Sequence, residues 1–131
     1  MKINCMHGIG VYSFKNSYYY KGSFKNNKTH GYGLFSSENG QSYEGNFKEG
    51  IIEGEGVMIY PDGRIYEGYF INNNKNGYGV MVYPEGGIYG EGSRYEGMWK
   101  NNKRDGQGIM IYQDDGRYLE GLFKENAFIR E

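Results

Sequence analysis

Apolar and polar residues alternate in short stretches along most of this chain. Across Tyr43, Glu44, Gly45, Asn46 and Phe47 the odd places hold the rings and a glycine, and the even places are polar. That period of two predicts a strand with two unlike faces. Gly45 sits between two rings on the aromatic face, where a side chain would push away whatever packs on them. Other stretches are apolar at both parities: Val57 and Ile59 alternate with Met58 and Tyr60, Val80 and Val82 with Met81 and Tyr83, Ile109 and Ile111 with Met110 and Tyr112. These predict strands that want cover on both faces.

The two kinds of stretch recur in order. With the Tyr of Tyr-x-Gly taken as position 1, units begin at Tyr20, Tyr43, Tyr66, Tyr95 and, with leucine instead, Leu119, at intervals of 23, 23, 29 and 24 residues. Position 5 is Phe24, Phe47, Phe70, Trp99 or Phe123, and positions 12 and 14 are Gly31/Gly33, Gly54/Gly56, Gly77/Gly79 and Gly106/Gly108. Gly8 and Gly10 take the same two places in a leading half unit. Fixed-period self-similarity signals a repeat architecture. The turns between an apolar stretch and the next Tyr-x-Gly are Lys15-Asn16-Ser17, Glu38-Asn39-Gly40, Pro61-Asp62-Gly63, Pro84-Glu85-Gly86 and Asp114-Asp115-Gly116, chemistry that closes tight turns between strands. Positions 7 and 8 (Asn26-Asn27, Glu49-Gly50, Asn72-Asn73, Asn101-Asn102) read as turn residues in longer connections, with Asn tolerating positive φ where the second repeat has Gly.

The predicted fold is all-β: an elongated, twisted antiparallel sheet, a solenoid of about five stacked hairpins and ten strands, forming one domain over residues 1–131. Its units are a half repeat at 7–19, repeats 20–42, 43–65, 66–94 and 95–118, and a half repeat at 119–131. At about 4.8 Å between strands and 3.3 Å per residue such a sheet is roughly 50 Å long and 20 Å wide, too thin to cover both of its faces without curling or meeting a partner.

Composition agrees. The chain has 23 Gly, 15 Tyr and 2 Pro among 131 residues, which opposes helices and favours a pleated surface. With 18% aromatic residues it holds too much buriable surface for a disordered chain. A formal charge of −1 gives no overall attraction to nucleic acid. No stretch approaches the roughly 20 apolar residues of a membrane helix, and no signal-like region opens the chain, so it reads as intracellular.

Catalytic chemistry finds little support, and the chain reads as non-enzymatic, with no cofactor. Position 11 supplies His7, His30, Glu53, Asn76 and Asp105, but neighbours in that column lie two strands, about 10 Å, apart, whereas ligands of one metal ion sit within roughly 4 Å of each other. Ordinary hydrogen bonding at a loop is the expected role. Cys5 cannot form an intrachain disulfide, being the lone cysteine, and reads as a small thiol. The Gly-x-Gly pairs open no helix and precede no Gly-Lys-Ser/Thr, so they are strand glycines and not phosphate cradles.

The repeats resemble the MORN family, on Tyr95-Glu96-Gly97-Met98-Trp99-Lys100-Asn101-Asn102-Lys103-Arg104-Asp105-Gly106-Gln107-Gly108, with Thr29-His30-Gly31-Tyr32-Gly33 supplying the family's His. The resemblance implies stacked hairpins with a groove, and a scaffold for other proteins at membranes or the cytoskeleton, some members binding helical segments.

The expected function is a non-enzymatic scaffold that holds a helical or extended partner segment in a groove lined by Tyr20, Tyr43, Tyr66, Tyr95, Phe47, Phe70 and Trp99. The Met column (Phe35, Met58, Met81, Met110) is expected to fill core. Two alternatives use other surfaces. A basic edge, where Lys25, Lys28, Lys100, Lys103 and Arg104 belong to a set of eight cations against four carboxylates, could meet an anionic membrane at roughly 1 kcal/mol per well-placed cation. Ile51-Ile52, apolar where other repeats are largely polar, and Ile88 and Tyr89 in the lengthened 84–94 turn are candidate contacts for a second copy or a partner.

Overall fold

The computed structural model describes residues 8–15, 17–84, 93–113 and 115–131. Its strands are β1 (Gly8–Phe14), β2 (Tyr18–Lys25), β3 (Lys28–Ser37), β4 (Ser42–Lys48), β5 (Ile51–Ile59), β6 (Ile65–Ile71), β7 (Asn74–Val82), β8 (Arg94–Lys100), β9 (Lys103–Ile111), β10 (Tyr118–Lys124) and β11 (Ala127–Arg130). They form one antiparallel sheet in sequence order, β1 to β11. Each strand therefore pairs with its neighbours in the chain, and every connection is a hairpin.

Two expectations change in detail. Ten strands become eleven among the described residues, because Glu125-Asn126 turns the chain back and Ala127–Arg130 pairs with β10. The position 7–8 connections are the tightest in the sheet, not the longer ones. Both residues take positive φ (Asn26 51°, Asn27 67°; Asn72 49°, Asn73 68°; Asn101 49°, Asn102 70°), the conformation of a two-residue type I′ turn whose twist suits the flanking strands. Strands β3, β5, β7 and β9 consequently begin at or next to position 9 and run unbroken past the Gly-x-Gly pair.

Strands β3, β5, β7 and β9 carry more residues than the even strands they face. Gly45 opposes Gly56, but Phe47 opposes Ile52, so two steps on β4 match four on β5, and the same shift follows Gly22, Gly68 and Gly97. The surplus forms a bulge that contains the position-12 glycine; Gly54 and Gly77 there sit at φ 99° and 96°, open to glycine and costly for other residues.

The core lies on one face. Tyr20, Tyr43, Tyr66 and Tyr95 are only 0–4% exposed, and Phe24, Phe47, Phe70, Trp99, Phe123, Met58, Met81 and Met110 are buried with them. Each tyrosine ring lies across the position-14 glycine of the next strand: a Cβ on Gly56 would come within 2.3 Å of the Tyr43 hydroxyl, and one on Gly79 within 2.2 Å of that of Tyr66. Its hydroxyl donates to the carbonyl three residues on, Tyr43 to Asn46 at 2.9 Å and Tyr66 to Tyr69 at 2.9 Å. The position-5 rings then meet the tyrosines edge-on in an unbroken ladder, Tyr20, Phe47, Tyr43, Phe70, Tyr66, Trp99, Tyr95, Phe123, with centroids 5.0–5.4 Å apart and planes 78–90° to one another. Edge-to-face pairs of this kind contribute roughly 0.5–1.5 kcal/mol each beyond the area they bury. A single layer thus buries its aromatic face by laying rings over bare backbone.

Candidate interaction surface

The seven aromatic residues expected to line a groove are this core. Their rings are occupied by one another and by the glycine backbone, so Tyr20, Tyr43, Tyr66, Tyr95, Phe47, Phe70 and Trp99 leave almost no surface for a partner. The reason is geometric: with no Cβ at positions 3 and 14 the tyrosines fold flat onto the sheet instead of standing out from it. The Met column fills the same core, as expected.

Position 10 also points inward. Arg104, expected at a lipid-facing edge, is 5% exposed; its Nη1 donates to the Tyr83 hydroxyl at 2.8 Å and its Nη2 to the Asn126 carbonyl at 2.7 Å. Lys75 occupies the same place one repeat earlier. Its Nζ is 3.1 Å from the Tyr60 hydroxyl and lies 5.2 and 5.3 Å from the ring centres of Tyr60 and Trp99. Burial, with Arg64 nearby, pulls its ammonium down to about 8. Ile52 is the apolar member of this column and packs against the core, with Ile51 half-buried beside it. Lys25, Lys28, Lys100 and Lys103 are exposed. Without the two buried cations the edge holds Lys25, Lys28, Lys48, Lys100, Lys103 and Lys124 against Glu49, Glu53, Asp105 and Glu125, six minus four, or +2. Ile88, Tyr89, Cys5 and His7 lie outside the described residues.

The position-11 column serves the turns. His30 Nδ1 accepts the Glu49 N–H at 3.2 Å, Glu53 accepts that of Asn72 at 3.3 Å, and Asp105 that of Glu125 at 3.3 Å. Among the described residues no group of three or more His, Cys, Asp or Glu could hold a metal ion, and no helix is long and apolar enough to cross a membrane.

The opposite face stays open, and its central row alternates acid and aliphatic residues in continuous register. Leu34 faces Glu44, Glu44 faces Val57, and so on through Glu67, Val80, Glu96, Ile109 and Glu120. One row to the side runs Tyr32, Tyr69, Tyr78 and Met98, each at least 40% exposed; on the other side Ile59, Ile65 and Val82 are exposed and face one another across strands. A hollow of about 340 Å³ opens here, lined by Tyr32, Glu44, Asn46, Glu55, Val57 and Glu67 around Gly45 and Gly56. Tyr32 donates to the Glu44 carboxylate, which raises the phenol's pKa, and Arg94 pairs with Glu96 at 2.5 Å. The acid row is legible as the position-2 Glu, which stands in Tyr-Glu-Gly in three of the five units and in Leu119-Glu120-Gly121 in a fourth. What the repeat pattern leaves open is that the tyrosine beside it turns away from the surface.

The repeat phase, the glycine pairs and the ring ladder all follow one unit, and the MORN repeat family model matches that unit at residues 6–17, 20–42, 43–63, 66–88 and 95–117. The chain belongs to the MORN repeat family. Comparison with curated proteins gave no match, so the repeats carry this assignment. MORN repeats are a non-catalytic repeat type that generally serves protein or membrane interaction.

Proposed function

We propose that this chain is a protein-interaction scaffold whose acidic face holds a basic amphipathic helix running across the strands. The observation that carries the reading is the spacing of Glu44, Glu67, Glu96 and Glu120 in one cross-strand row. Successive members are two strands apart, about 9.6 Å, close to the roughly 10.5 Å that seven residues rise along a helix. An extended strand presents one face every two residues, near 6.7 Å, and does not match that interval. Three rows of side chains about 6.6 Å apart also suit a helix of roughly 10–12 Å diameter.

Magnitudes divide the work between the rows. Exposed ion pairs contribute about 0.2–1 kcal/mol each, so four carboxylates set register and orientation more than affinity. Affinity comes from Val57, Val80, Ile109 and the flanking Ile, Val and Tyr side chains as they leave water, at about 25 cal/mol per Å². A membrane is the less suited partner, because the turn edge keeps a net of only +2 while this broad face is acidic.

The test uses a 22-residue peptide with Lys at every seventh position and Leu or Ile along the same face, titrated calorimetrically into the full chain. Saturable binding that weakens with salt is expected, and at least tenfold loss on Glu67→Lys with Glu96→Lys. A peptide of identical composition with its lysines moved to every fifth position should bind at least tenfold more weakly; equal binding of the two peptides defeats the proposal.

A further inference from the structure

Strand β1 is an outer strand of the sheet, and the edge it turns away from β2 is paired with no described strand. Its sequence, Gly-Ile-Gly-Val-Tyr-Ser-Phe, carries no charge and no proline, the devices that usually blunt a free edge. Ile9 is 83% and Val11 58% exposed, with Tyr12 and Phe14 also open. The other end of the sheet differs: β11 is four residues long, ends in Arg130, and its Phe128 closes the aromatic ladder against Phe123 at 5.3 Å.

Gly10 marks what β1 could receive. It holds position 14, like Gly33, Gly56, Gly79 and Gly108, and each of those four lies under the ring of a position-1 tyrosine, 2.2–2.3 Å from its hydroxyl to a built Cβ. A Cβ on Gly10 meets only the Phe24 ring, at 3.5 Å, an ordinary contact. Gly8, at position 12, keeps the positive φ of its counterparts, 78° against 86° at Gly31. The half repeat therefore retains the cradle for a tyrosine ring, and no described residue fills it.

We propose that the β1 edge binds, by strand addition, an extended segment of pattern Tyr-x-Gly-x-aromatic supplied by another polypeptide. The edge continues an interface that the chain forms four times within itself, where position 1 faces position 16 and position 3 faces position 14, as Tyr43 faces Met58 and Gly45 faces Gly56. In that register the incoming tyrosine stands opposite Tyr12 with its ring over Gly10, and its glycine passes Gly10 at backbone contact. Main-chain hydrogen bonds supply affinity, and the glycine pair supplies specificity. The Tyr-x-Gly-x-Phe/Trp stretches beginning at Tyr20, Tyr43, Tyr66 and Tyr95 are all paired inside the sheet, so none of them is free to fill the β1 edge. This surface is separate from the acidic face and stands or falls without it.

The experiment titrates the full chain into a fluorescein-labelled peptide Ser-Arg-Tyr-Glu-Gly-Met-Trp-Lys-Asn-Asn, the sequence of residues 93–102, and follows anisotropy. Saturable binding is expected, weakened at least tenfold by Gly10→Val and by replacing the peptide's glycine with valine. Gly10→Val should leave the urea midpoint unchanged, whereas Gly33→Val, under the Tyr20 ring, should lower it; this contrast separates a lost cradle from a lost fold. The proposal is overturned if the peptide does not bind, if Gly10→Val binds it equally, or if sedimentation shows that the chain self-associates through this edge in a way Gly10→Val abolishes, which would make a second copy the occupant.

Discussion

Lys75 is the residue where burial and charge oppose each other most directly. Its amine sits among Tyr60, Tyr66 and Trp99, and burial brings its pKa to about 8 from the ordinary 10.5. Between those values the unfolded chain binds a proton that the folded chain does not, so stability rises with pH there. The full difference corresponds to roughly 3 kcal/mol, and the ring faces, which favour the ammonium, reduce the rise to about 1–3 kcal/mol. The buried phenols act with the opposite sign. Burial raises Tyr43 and Tyr95 to about 12 and Tyr66 further, so their contribution is complete below pH 10, where unfolded tyrosines begin to ionise, and is lost as pH climbs toward 12. Urea midpoints should climb from pH 8 to near 10 and then fall. Lys75→Met should remove the climb and keep the fall; a climb that persists in the variant refutes the assignment.

The tight turn is the element that joins one repeat to the next. Asn102 takes φ 70°, its N–H donates to the Lys75 carbonyl at 3.0 Å, and its Oδ1 accepts the Lys75 N–H at 2.8 Å. Asn73 makes the same pair of bonds with Ile52, and Asn126 with Arg104. One side chain thus meets two demands, a left-handed backbone and a buried donor. Asn102→Gly keeps the first and loses the second, and should cost about 1 kcal/mol. Asn102→Ala loses both and should cost roughly 2–3 kcal/mol, the left-handed conformation adding about 1–2. Equal costs for the two variants, read from urea melts, would show that the backbone conformation contributes nothing.

At the scale of the whole molecule, stability is a sum over neighbours. Backbone pairing joins only adjacent strands, and the ring ladder reaches no further than the next strand but one, running the length of the sheet with the Phe123 and Phe128 contact closing one end. Opening should therefore begin at the ends. Amide hydrogen exchange should be slowest in β5 to β8 and fastest in β1 and β11, with a gradient between them. Uniform protection from β1 to β11 would instead mean that the sheet opens as a single unit.

Local order was written in the chain. Alternation through Tyr-x-Gly-x-aromatic, turn residues at fixed places and the constant glycine columns specify strands, register and sequence-order pairing, because all of these are contacts between residues close along the chain. Asn-Asn is the instructive intermediate: positive φ was legible from residue type, but the shortness of the turn was not, since it depends on how far β3, β5, β7 and β9 extend. What tertiary structure alone decided is which face is spent. Tyr66 reads equally well as a groove residue or a core residue, and Arg104 as a surface cation, until the bare backbone of Gly79 and the Tyr83 hydroxyl are known to lie within reach. Glycine has no side chain to signal what it accommodates, so a ring lying flat across the next strand is invisible in the pattern. Once the rings lie down, the acidic and aliphatic rows on the other side become the surface this MORN sheet presents.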